Sequence, residues 1–305
     1  MTNYSHLAPQ VLAEMSLPDH LRARRMLQER FLVHERLVPL LTRVDFLMRR
    51  PVQSRAAGLV VSGPPGSGKT MIAKALARRY PALNPNETDA PSIPVLTISM
   101  TNAREAKTLF NRMLAALHVP DASSYVGSDR EKLVLKVCRQ ARVQLLVVDE
   151  IQDILTSTAR QQSIALDTIK FLMNELSLPI LALGTAKAPT AMQVDEHLNA
   201  RFAYRVLPTW QVDGHLENLL NVLEQTLPLK ERSGLGSVDM MKVLVGLSGG
   251  ILDPIMKAVT YAAANAVKEG IERITIPLLE RALDEPPAWA LDEPADDLAI
   301  EEVTA

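Results

Sequence analysis

The chain of 305 residues holds a single cysteine, Cys138. One thiol excludes an internal disulfide and fits a reducing compartment, so a soluble cytoplasmic protein is expected. Cys138 lies in an apolar helical stretch and reads as a small core residue. Aromatic residues are only 4% of the chain, too few for a platform that stacks single-stranded bases. No apolar run reaches the roughly 18 residues needed to span a bilayer, and the N-terminus lacks a basic-then-apolar signal pattern, so no membrane partner is expected. No internal repeat is visible. Basic residues are missing from 284–302, where Asp284, Glu285, Asp292, Glu293, Asp296, Asp297, Glu301 and Glu302 stand without a Lys or Arg. That stretch carries −8 against a whole-chain net charge of −2, which leaves +6 elsewhere. Arg22, Arg24, Arg25, Arg30, Arg36, Arg43, Arg49, Arg50 and Arg55 concentrate positive charge near the N-terminus. A mildly basic body with an acidic tail is compatible with a polyanionic partner, and equally with a solvated helix face and a solubilising end.

An apolar fraction of 47% supports a sizeable core. Asp19 reads as the N-cap of a helix over 20–37, which Pro39 breaks before a second helix reaches Met48. Apolar strands are expected at 58–62, 95–100, 145–148, 179–183 and 202–207. Between them, helices are expected at 69–80, 103–117, 129–141, 163–176 and 189–198. After Pro208 the pattern turns wholly helical, over 213–226, 237–247, 253–268 and 276–283. Alternating strands and helices imply an α/β fold with a parallel sheet, and the later helices an all-α lid. The expected division is a basic helical lead-in at 1–55, a nucleotide-binding α/β domain at 56–210, a helical lid at 211–284, and an acidic disordered tail at 285–305.

The most informative segment is Gly63-Pro64-Pro65-Gly66-Ser67-Gly68-Lys69-Thr70, set between a buried strand and an amphipathic helix. This is the G-x-x-x-x-G-K-[ST] phosphate loop. Its glycines let backbone N–H groups close around an anion, and the following helix adds the positive end of its dipole. Lys69 is placed to reach the β- and γ-phosphates, and Thr70 to ligate Mg²⁺. The apolar run Leu145–Val148 ends in Asp149-Glu150. Asp149 is expected to hold Mg²⁺ through its water shell, and Glu150 to orient or deprotonate the attacking water. Thr185 ends the next strand, where its hydroxyl would lie beside the phosphate loop.

Arg201 and Arg205 follow the helix at 189–198. Here the chain resembles the AAA+ P-loop ATPases, in which an arginine near this point reaches the γ-phosphate of a neighbouring subunit; Arg201 is the better match. One departure concerns the lid. Many AAA+ proteins carry an arginine at the start of a lid helix, whereas Ser248-Gly249-Gly250-Ile251-Leu252-Asp253-Pro254-Ile255 has none. Lid closure would then use other contacts, such as the Gly249-Gly250 backbone.

Further patterns are Asp149-Glu150-Ile151-Gln152-Asp153-Ile154-Leu155, Leu21-Arg22-Ala23-Arg24, Leu109-Phe110-Asn111-Arg112-Met113-Leu114, Leu117-His118-Val119-Pro120 and Ser248-Gly249-Gly250. In these the chain resembles, within that class, the TniB/TnsC family of transposition ATPases over about residues 15–283. The resemblance implies a homo-oligomeric ring or filament on double-stranded DNA, formed with ATP and Mg²⁺. It also implies a transposase partner, a TniQ-like target-selection adaptor, and hydrolysis that limits the assembly. DNA contacts are expected just after the second strand, from Thr101, Arg104, Lys107 and Arg112. The alternatives are a replication initiator or helicase loader, which usually carries a helix-turn-helix after the lid, and a signalling ATPase that never meets DNA. No Asn-Lys-x-Asp run specifies guanine, and no acidic triad of a strand-transfer nuclease is visible.

Overall fold

Three buried strands organise the α/β part of the chain. In the computed structural model, residues 4–29, 32–51, 55–83, 92–103, 105–120 and 127–291 are described. They divide into a unit of residues 36–208 and a unit that combines the N-terminal residues up to Glu35 with residues from Thr209 onward. In the first, β1 (Gly58–Ser62) and β4 (Ile180–Gly184) are buried throughout, and β3 (Leu145–Asp149) is buried up to its final aspartate. Such runs form where a parallel strand is covered on both faces. β2 (Val95–Ser99) and β5 (Phe202–Val206) are the edges, and both expose some residues. The order is β2-β3-β4-β1-β5, and every pairing is parallel. Gly58 permits the approach of β5: a Cβ there would stand 2.1 Å from the Phe202 ring.

Around the sheet run α2 (Val38–Arg49), α3 (Lys69–Arg79), α4 (Ala106–Ala116), α5 (Gly127–Gln140), α6 (Ala159–Glu175), α7 (Ala188–Gln193) and α8 (Glu196–Asn199). Cys138 on α5 belongs to the core; burial pushes its thiol up to about 12, against a smaller opposing pull from Arg139. Several boundaries differ from the sequence expectation for local reasons. Pro39 does not break a helix but lies in the first turn of α2, where its missing N–H costs no hydrogen bond. α6 begins four residues early because Thr158 and Gln161 form a capping box. The single helix expected at 189–198 is two, since Asp195 caps α8 by accepting from the Leu198 N–H at 2.8 Å.

The second unit is helical: α1 (Asp19–Met26), α9 (Gly214–Gln225), α10 (Val238–Ser248), α11 (Leu252–Lys268) and α12 (Ile276–Ala282). The lead-in expected over 1–55 is therefore divided. α1 packs on α11, with Met26 inside the lid's core, whereas α2 belongs to the α/β unit. Ordered packing also extends into the expected tail: Ala290 is buried and Trp289 donates to Asn265 at 3.3 Å. The remaining tail, 292–305, lies outside the described residues. No single helix among the described residues is long and apolar enough to cross a membrane.

A buried ion pair joins α1 to the lid. Arg22, 1% exposed, donates to both Glu272 oxygens, at 2.9 and 2.6 Å, and Lys230 adds a third donor at 2.6 Å. Burial alone would raise the Glu272 pKa, but hydrogen bonds and attraction from Arg22 and Lys230 outweigh it and hold it low. The ionised carboxylate thus contributes stability that is present above its unfolded pKa and is lost as pH falls through its folded value. Arg22→Met should destabilise this unit by about 3–5 kcal/mol, because it leaves a buried carboxylate short of a partner. Denaturant unfolding followed by tryptophan fluorescence reads this directly, since Trp210 and Trp289 both lie here. The variant should also lose less further stability in acid than the parent.

Candidate nucleotide site

The loop from Gly63 to Gly68 leaves β1 and enters α3 at Lys69. Gly66 and Gly68 take φ of 74° and 88°, a left-handed backbone that turns successive amides toward one concavity. Gly63 is closely hemmed: a Cβ would lie 2.8 Å from Ser67 Oγ and 3.1 Å from Leu207. Pro64, Pro65 and Ser67 complete the turn. Lys69 is 6% exposed, and its Nζ donates to the carbonyls of Gly63 at 3.0 Å and Pro64 at 2.7 Å, and to Ser67 Oγ at 3.3 Å. Burial lowers its pKa, and the attraction of Glu150 and Asp149 only partly offsets this.

The two halves of the site meet through one hydrogen bond. Thr70 Oγ1 donates to Asp149 Oδ2 at 2.9 Å. Two hard oxygen donors from elements 79 residues apart thus converge, which fits a magnesium ion. Glu150 follows in a left-handed conformation, φ 56° and ψ 40°, with its N–H on Asp149 Oδ1 at 2.9 Å. Thr185 lies beside the phosphate loop: Gly184 pairs with Ser62, and the Gly63 N–H donates to the Gly184 carbonyl at 3.2 Å.

Sequence reasoning missed the residue that ties these pieces together. Gln152 is the second residue of a short 3-10 helix over Ile151–Thr156; its Nε2 donates to Glu150 Oε2 and its Oε1 accepts from the Thr185 N–H at 3.0 Å. The available signal was an amide side chain two residues after the glutamate. A second signal was Gly184, a glycine ending a strand of larger apolar residues, where a Cβ would sit 2.3 Å from Gln152 Oε1.

Arg201 lies elsewhere. It immediately precedes β5, whose Phe202 pairs with Gly58, so it stands at the edge of the sheet opposite the loop. Five residues at 3.3 Å put it about 16 Å from the loop. Its guanidinium donates to Asn174 at 2.7 Å, and that of Arg205 to the Tyr204 carbonyl at 2.8 Å. Of the residues expected to meet DNA, Thr101 and Lys107 are exposed, and Arg104 lies outside the described residues. Arg112 is turned inward, donating to the carbonyls of Ser99 and Thr101. The structure thus makes it a brace for the turn after β2, because two of its donors satisfy backbone carbonyls that leave the sheet. In the helical unit, Gly250 donates to Ser248 Oγ at 3.1 Å and accepts from the Trp210 N–H at 2.7 Å. Both of its backbone groups are therefore engaged within the lid.

Residues 22–212 match the family model described as "Bacterial TniB protein". The chain belongs to the TniB family. The match ends before the lid helices, so the Ser248-Gly249-Gly250 likeness lies outside it. The TniB chain is also similar to spastin of Danio rerio, 30% identical over 221 residues that are 68% of this chain and 32% of that protein. Spastin of Drosophila melanogaster is 28% identical over 221 residues, 68% of this chain and 24% of that protein. The TniB chain spans about a third or less of the length of these relatives. Among solved structures, Aeropyrum pernix ORC2 with ADPNP and ADP matches at TM-score 0.61 and 15% identity, covering 86% of this chain and 72% of that one. Aeropyrum pernix ORC1 in complex with DNA matches at 0.59 and 13%, covering 86% and 68%. Cdc6p from Pyrobaculum aerophilum matches at 0.55 and 14%, covering 85% and 68%. These likenesses establish the AAA+ fold expected from the sequence.

Gly184→Ala should force Gln152 and Ala188 apart, since the new methyl would meet Ala188 Cβ at 2.9 Å as well as Gln152. The expected cost is about 1–3 kcal/mol of stability in the α/β unit, measured by denaturant unfolding.

Proposed function

We propose that this TniB protein is an ATPase that regulates DNA transposition by assembling on double-stranded target DNA. The observation that carries the reading is the junction of Thr70 with Asp149 beside a buried Lys69. Glycine-rich amides and an ammonium suit the β- and γ-phosphates of a nucleoside triphosphate. Thr70 and Asp149 would hold Mg²⁺, which neutralises charge that develops between those phosphates. Glu150 orients the attacking water and accepts its proton, and the Thr185 hydroxyl contacts the γ-phosphate or that water. Adenine is favoured over guanine by the missing guanine-specifying run and by the family.

Arg201 supports an assembly-dependent site. At the far edge of its own sheet, it serves the nucleotide of a neighbouring copy, where an arginine stabilises transition-state charge. The ATP-bound oligomer then recruits or activates a transposase, a TniQ-like adaptor nucleates or caps it, and hydrolysis sets its lifetime. Thr101, in the turn that Arg112 braces, and Lys107, in the first turn of α4, face phosphates. A replication initiator is the second reading, favoured by the likeness to origin-recognition proteins, one of them solved with DNA.

A salt-titrated DNA-binding assay with ATP and with ADP tests these readings. Sequence-independent binding that needs ATP and weakens steeply with salt is expected, with Lys107→Ala lowering the salt slope by about one. Preference for one duplex sequence would favour the initiator, and absence of DNA binding with either nucleotide would sink both. Lys69→Ala should lose nucleotide binding and assembly, whereas Glu150→Gln should bind ATP and form longer-lived assemblies. Arg201→Ala should bind ATP normally but hydrolyse it about 10³-fold more slowly. Mixing it with Glu150→Gln subunits, which assemble with ATP and keep Arg201, should restore turnover; no recovery would remove Arg201 from the shared site.

A further inference from the structure

Gln152 makes contacts that a packing role does not require. Its amide orientation is fixed by its partners, because a carboxylate only accepts and a backbone N–H only donates. Nε2 therefore faces Glu150, with Asp153 Oδ1 a weaker second acceptor at 3.4 Å, and Oε1 faces the Thr185 N–H at 3.0 Å. One side chain thus spans the end of β3 and the end of β4. The surroundings are shaped for it: Gly184 leaves room that a single methyl would close, and the left-handed Glu150 backbone redirects the chain into the 3-10 turn that carries Gln152.

We infer that Gln152 is a positioning residue that fixes the Glu150 carboxylate and couples its orientation to the Thr185 end of β4. This rests on the reading of Glu150 as the group that orients the attacking water. An unheld glutamate samples several rotamers, whereas a general base must keep its oxygen within about 2.6–3.2 Å of the proton it takes. Thr185 sits where the strand end meets the phosphate loop. A shift there moves the acceptor side of Gln152, and with it the donor that holds Glu150. The hydrogen bonds of Gln152 go to Glu150, Asp153 and Thr185 and not to the loop or Thr70, so it acts on hydrolysis and not on nucleotide affinity.

Steady-state turnover of Mg-ATP on DNA, together with ATP affinity, tests this in full-length protein. Gln152→Met keeps the length of the side chain and removes both hydrogen bonds; Gln152→Leu is the second variant should the thioether crowd Gly184. The expected result is a ~10- to 100-fold fall in kcat with ATP affinity and melting temperature unchanged. In a Glu150→Gln background the same replacement should alter residual turnover by less than about twofold, because the group it acts through has gone. An undiminished kcat in both variants would overturn the inference while leaving the ATPase reading intact. An equal loss in both backgrounds, or a parallel loss of ATP affinity, would reduce Gln152 to a structural residue. Full turnover in Glu150→Gln alone would overturn the assignment of Glu150, and this inference with it.

Discussion

Parallel strands release their chains at one edge of a sheet, and register decides which residues meet there. Ser62 pairs with Gly184, and Ser99 with Asp149. These pairings bring the phosphate loop, Asp149, Glu150 and Thr185 to one edge although they are far apart in sequence. The hydrogen bond from Thr70 to Asp149 then closes the site across strands that are not neighbours, since β4 lies between β1 and β3. On the proposed reading, nucleotide binding and hydrolysis depend on that convergence.

The same geometry explains why one copy of the chain is chemically incomplete on the proposed reading. The cation at the loop is Lys69, tightly held by the loop's own carbonyls. Arg205 lies on the edge strand, and Arg201 immediately precedes it, a full strand length from the loop and beyond the reach of its own side chain. An edge position suits a residue that acts outward. The turn after β2, where Thr101 lies, leaves the sheet at the same edge as Asp149, with the Met100 N–H on the Asp149 carbonyl at 2.8 Å. On the proposed reading, DNA and nucleotide are thus sensed by adjacent turns of one sheet.

Much of this was legible in advance because the signals are local. The strands that are apolar throughout could only be central and parallel, and the glycine pattern at 63–68 has one physical use. Elsewhere, local signals misled. Pro39 suggests a break because proline disrupts helix interiors, yet in a first turn it is harmless. The capping box at Thr158 and Gln161 is a local signal that starts α6 ahead of its apolar periodicity. The division of the N-terminal lead-in was not readable, because Arg22 finds Glu272 only through tertiary packing, 250 residues away.

The sequence by itself determined the phosphate loop, the acidic pair at 149–150, the α/β alternation and the helical lid, since each follows from residue type and spacing. Only the tertiary structure decided what those residues touch. It turned Arg112 onto the carbonyls of Ser99 and Thr101, set Gln152 between Glu150 and Thr185, and buried Arg22 against Glu272. The physical reason is common to all three. Long polar side chains have many rotamers and no preferred partner in sequence, so their roles are fixed by whichever backbone groups and charges the fold brings within hydrogen-bond reach.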